Sequence, residues 1–155
     1  MTHPLVELER KALELKNSGR SAEAAELFAM IVEQQPDWEH GIALHLLAQC
    51  YEDSGQLELG AKFYLVALEY GPENDIFLGG YASFLYLHGN PEEAFDAYVK
   101  LLNIYRQENS KDHADSCMLG INALGERLGW SRDMIAEKIA NRTASESSSS
   151  TLHLA

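Results

Sequence analysis

The chain has 155 residues, 46% hydrophobic and 23% charged, proportions that suit one compact domain or a short array and exclude wholesale disorder and a fibrous architecture. Its 24 acids against 12 Lys and Arg give a formal net charge of -12, the wrong sign for gripping phosphate backbones, so nucleic acid is set aside as a partner. No apolar run reaches the roughly 18 to 20 residues a bilayer span needs, and Met1-Thr2-His3-Pro4 carries no leader pattern, so a cytoplasmic protein that stays out of membranes is expected.

In chain order, apolar residues recurring at helical spacing predict helices over 4–17, 21–35, 39–53, 57–70, 75–88, 91–108, 111–128 and 132–141. Ser21 and Ser131 stand where N-caps are needed, and Asn90-Pro91-Glu92-Glu93 joins an N-cap to a proline at the first helical position and a Glu three residues after the cap. Gly19, Gly55 and Gly89 break the first three pairs at spacings of 36 and 34, and Pro36 and Pro72 each follow a glycine by 17 residues.

Aligned on those glycines, 5–38, 41–74 and 75–108 superpose as units of 34 residues. Leu8, Leu44 and Leu78 share an early apolar slot, and Ala12, Ala48 and Ala82 a small one. Leu15, Tyr51 and Leu85 follow; after the glycine come Ala24, Gly60 and Ala94 in a second small slot and Phe28, Tyr64 and Tyr98 in an aromatic one. Small slots let paired helices approach closely, and apolar ones fill the layer between pairs. This pattern resembles the tetratricopeptide repeat family, and the resemblance implies an all-α fold of three helix-turn-helix units in a right-handed superhelical array. Lys11 and Tyr81 stand where Leu is expected, Arg106 replaces the closing proline, and two extra residues separate the first two units.

The pair at 111–142 lacks the pattern, with Ala123 where a fourth turn glycine would fall, and is read as a divergent cap that completes a domain over 1–142. The Ser-rich run over 143–155 is expected to be disordered, its Leu152-His153-Leu154-Ala155 end an untethered tail.

No phosphate loop, nucleophile elbow or metalloprotease motif is present, so no catalytic residue, cofactor or metal is expected, and the protein is read as a non-enzyme. Cys50 and Cys117 lie in helical segments and read as buried reduced thiols. His113 and Cys117, four apart, share a helical face, but two donors do not make a metal site.

Function is therefore sought in a surface. The resemblance implies that outward positions of each unit's first helix meet a bound segment, namely Glu9 and Leu13, then Ile42, His45, Gln49 and Glu52, then Ile76, Gly79, Ser83 and Tyr86. His113 and Cys117 would extend that surface along the seventh helix. Gly79 and Gly80 either open a slot for a partner or serve close helix packing. The clamp by which related modules hold a chaperone's C-terminal carboxylate is not implied, because Glu9, Leu13, Leu46, Ile76 and Gly80 occupy its positions.

Between Ser21 and Val99 fourteen acids face one base, Lys62, a band that either steers a neutral or basic partner or merely keeps the chain soluble. The expected function is thus a protein- or peptide-binding adaptor engaging its partner through the concave face or acidic flank. A dedicated cytoplasmic chaperone or inhibitory partner of a secreted or toxic protein is the alternative on the same fold. An enzyme built on the repeat, using His45, Glu52 and His113, is the remote one.

Overall fold

A computed structural model describes the backbone of residues 1–153 and the side chains of residues 1–146. Among the described residues all regular structure is helical: α1 (Pro4–Asn17), α2 (Ser21–Gln34), a 3-10 turn (Trp38–Gly41), α3 (Ile42–Asp53), α4 (Leu57–Tyr70), α5 (Asp75–His88), α6 (Pro91–Gln107), α7 (Lys111–Arg127) and α8 (Arg132–His153). The expected all-α class holds. Where one domain was expected, the chain divides into two compact units, 1–81 and 82–155. No described helix is long and apolar enough to cross a membrane.

Four helices stop in the same way. After α1, the Gly19 amide donates to the Lys16 carbonyl and the Arg20 amide to Leu15, at 3.1 and 2.9 Å, the paired bonds of a Schellman ending. Gly55 and Gln56 repeat this after α3, Asn109 and Ser110 after α6, and Gly129 and Trp130 after α7. The ending needs a left-handed residue at its centre, and φ is 80°, 79°, 57° and 73° at Gly19, Gly55, Asn109 and Gly129. Gly89 departs from this expectation, because it is not left-handed. Its constraint is steric: a Cβ there would lie 2.7 Å from Leu85 Cδ2 and 3.0 Å from Leu85 Cα.

Helix starts follow side-chain chemistry. The Asn90 amide oxygen accepts from the Glu92 and Glu93 amides, and Asn74 does the same for Ile76 and Phe77 at the head of α5. Ser131 caps α8 through the Met134 amide. Ser21 corrects its expected role: it is the first residue of α2, makes no cap bond, and turns its buried hydroxyl 3.4 Å from Asp53. The third helix begins at Ile42 instead of 39, because Glu39 and His40 leave right-handed helical backbone.

In the first unit α1 packs on α2, α2 on α3, and α3 on α4. Phe28, Ile31 and Leu47 are fully buried and cluster with Leu5 and Trp38. Burying each such side chain is worth about 1.5–3 kcal/mol. In the second unit α6 buries Phe95, Val99 and Leu102, while α7 buries Ile121 and Leu124. Ile135 of α8 seats against Gly125, where a Cβ would lie 2.3 Å from its Cδ1.

The eighth helix runs past Asn141, its expected end, and carries the Ser-rich segment as helix to His153. Side chains hold its middle on α6: Arg142 pairs with Asp96 and lies 4.8 Å from the Phe95 ring, and Asn103 donates to Glu146 at 2.9 Å and accepts from Thr143. Composition alone predicted disorder; contacts made one helix away supply what composition lacks. Leu154 and Ala155 of the expected tail lie outside the described residues.

The four endings make a clean comparison, since a Cβ at Gly19 or Gly55 would meet no atom within 4 Å. Gly19→Ala and Gly55→Ala should each cost about 1 kcal/mol from backbone conformation alone, whereas Asn109→Gly should be neutral or stabilising. Urea unfolding midpoints followed by circular dichroism measure all three.

Candidate functional site

The sequence-expected surface residues fall into two groups once the helices pack. Glu9, Leu13, Ile42, Gln49, Glu52, Gly79 and Tyr86 are half-buried; Ile76, Ser83 and His113 are exposed. His45 and Cys117 correct the expectation. At 3% exposure each lies beneath the surface it was expected to form.

His45 is the organising group of the first unit. Its ring stacks on Phe77 at 5.3 Å between centroids, meets the edge of Tyr64 at 5.6 Å, and sits against Gly80. A Cβ at residue 80 would come 2.4 Å from His45 Cε1, so close packing, the second of the two readings, accounts for Gly80. The Gln49 side-chain amide hydrogen-bonds His45 Nε2 at 3.1 Å. Buried Nδ1 has no described hydrogen-bond partner.

The neighbouring polar contact is the bond from the Tyr64 hydroxyl to Glu52 Oε2, at 2.6 Å. Sequence reasoning placed Tyr64 in an aromatic slot and left its hydroxyl unassigned. The signal was present, because a buried phenol needs an acceptor and two acids, Glu52 and Asp53, close the preceding helix. Phe77 also went unnoticed as the ring that closes over His45.

Burial sets the electrostatics. Desolvation, with Lys16 nearby as a smaller cause, holds the His45 pKa down at about 4, so the imidazole is neutral at physiological pH. Desolvation raises Tyr64 as well, and its bond to ionised Glu52 adds to the rise. Cys50 and Cys117 are both pushed up to about 11 by burial, which leaves them as thiols.

In the second unit the Tyr86 ring meets Tyr98 edge-on, and its carbonyl accepts from Arg127 at 3.0 Å. His113 stacks on Tyr105 and places Nδ1 2.6 Å from the Ser110 hydroxyl. Cys117, four residues along, points into the core, so the pair expected on one face is separated by burial. Among the described residues no three His, Cys, Asp or Glu side chains converge on a point that would hold a metal ion.

On α3 the half-buried Gln49 and Glu52, an amide and a carboxylate one helical turn apart, are each bonded to a buried partner. Fixed in this way, they have little rotamer entropy left to lose. No protein-family model matches the sequence, and no curated protein matches it.

The contact at Gly80 has a measurable signature. Gly80→Ala should cost about 1–3 kcal/mol by overpacking, although alanine is the better helix former. In a His45→Ala background the same change should become neutral or stabilising, a coupling that a double-mutant cycle in urea detects.

Acid should also act through His45. Unfolded, it takes a proton below about pH 6.5, and folded only near pH 4, so the unfolded state binds more protons in that window. Stability therefore falls as pH drops from 6.5 toward 4, by up to about 3 kcal/mol from this group. Urea midpoints at several pH values should show a shallower fall in His45→Leu than in the parent, the carboxylates being common to both.

Proposed function

We propose that the protein is a non-enzymatic interaction module of tetratricopeptide-like helix pairs, and that the outward side of α1 and α3 binds a protein or peptide. The anchored pair Gln49 and Glu52 on α3 is the observation that carries this reading. Burial of all six small slots, Ala12, Ala24, Ala48, Gly60, Ala82 and Ala94, supports the repeat assignment. Two buried free thiols fit a reducing compartment and support a cytoplasmic location.

Partner sign follows from charge. Residues 1–81 hold fourteen acids and five bases, a net of -9, so a neutral or basic segment is favoured and an acidic one repelled. The enzyme reading loses support from the same geometry: His45 is neutral and enclosed, and Glu52 is engaged by a phenol.

Capture of a stoichiometric partner from native lysate, followed by titration calorimetry, tests the proposal. Leu13→Arg and Gln49→Arg should each weaken binding at least about tenfold while circular dichroism is unchanged, and affinity should fall as salt rises. Full affinity in both variants would remove this face from consideration.

A further inference from the structure

The connection between α2 and α3 contains the two residues for which the repeat has no slot, Glu39 and His40. Both are left-handed, at φ 49°, ψ 43° and φ 56°, ψ 31°, and Gly41 follows at φ 98°. Three successive left-handed residues are unusual, because the conformation presses Cβ against the following carbonyl. Local compensation is confined to the backbone, where the His40 amide donates to the Asp37 carbonyl at 2.9 Å and the Ile42 amide to the Glu39 carbonyl; both side chains are exposed and neither makes a described hydrogen bond.

The segment is held from its two ends. Trp38, at 9% exposure, is packed among the α1 and α2 residues Leu5 and Phe28, with the His3 ring stacked 5.2 Å away. Gly41 is wedged on the other side, where a Cβ would lie 3.1 Å from Tyr70 Cβ and 3.3 Å from Phe77 Cε2. The two anchors differ in kind. The Trp38 indole N–H is buried with no described acceptor, so that anchor carries an unmet polar group, while the Gly41 contact is apolar throughout.

From this asymmetry we infer that Trp38–Gly41 is a strained hinge from which the α1–α2 pair opens as a unit. Opening withdraws Trp38, relaxes Glu39 and His40, and uncovers Leu47 and Cys50 on α3 while α3 and α4 stay packed. The first unit thereby has a second state in which an apolar stripe of α3 is presented, and because the surface proposed above draws on both α1 and α3, opening divides it.

Cys50 reports the opening directly, since it is fully buried in the cluster that includes Phe28 and Trp38. In the full chain carrying Cys117→Ala, thiol labelling of Cys50 and amide exchange of α1 and α2 should be faster, and less dependent on urea, than amide exchange of α4. Glu39→Gly with His40→Gly removes the strain from the closed state, so labelling and α1–α2 exchange should slow by about tenfold. Asp37→Gly, at a position whose φ is -90°, adds chain freedom without relieving strain and should quicken them. One common rate for α1, α2 and α4 would overturn the hinge. So would a double-glycine variant that leaves labelling and exchange of the α1–α2 pair unchanged.

Discussion

The first unit depends on one close approach, the imidazole of His45 lying where residue 80 has no side chain. With 2.4 Å between His45 Cε1 and a hypothetical Cβ, even a methyl group is excluded, so the first half of α5 is held at a fixed height over α3. The rest follows from that. Phe77, one turn earlier, is brought onto the ring face; Tyr64 meets its edge; and Gln49 supplies the one hydrogen bond the ring makes among the described residues. A polar ring thus does the filling that an aliphatic side chain does elsewhere. Its consequence is a group that must stay uncharged for the packing to hold.

The second unit uses the same device with apolar partners. Gly125 receives Ile135, and Gly120 lies against the Tyr98 ring, where a Cβ would sit 3.2 Å from Cε1. Alanines play the part over longer stretches, with Ala12, Ala24, Ala43, Ala67, Ala82 and Ala94 all at zero exposure. Helices that meet over small residues come close enough for their larger neighbours to interlock, which is why the order of small and large positions matters more here than total hydrophobicity.

That order was legible in the sequence. Apolar spacing, with glycine and Asn-Pro punctuation, located the first seven helices closely, apart from the start of the third, because those signals act within a turn or two of themselves. The failures needed distant partners. His45 occupies an outward position in the repeat register, and only the absence of a side chain at Gly80 turns it into core. Cys117 is buried against its own unit in the same way. The Ser-rich segment has the composition of a disordered tail, but α6 supplies Asp96 and Asn103 to hold the helix that leads into it. Asn109 ends α6 as a glycine would, a use of asparagine that the spacing of three glycines concealed. The two inserted residues were noticed as a break in register; their left-handed backbone was not predictable from Glu and His, because Glu seldom adopts it.

In the proposed binding role, the buried imidazole keeps Gln49 fixed at the surface without contributing a charge of its own. The most direct test is nitrogen-15 NMR of the histidine side chains through an acid titration. Burial between Phe77, Tyr64 and Gly80 requires the His45 ring to stay neutral until the pH nears about 4. Protonation of His45 close to pH 6.5, with the fold intact, would show the ring in contact with water and contradict the packing on which the account is built.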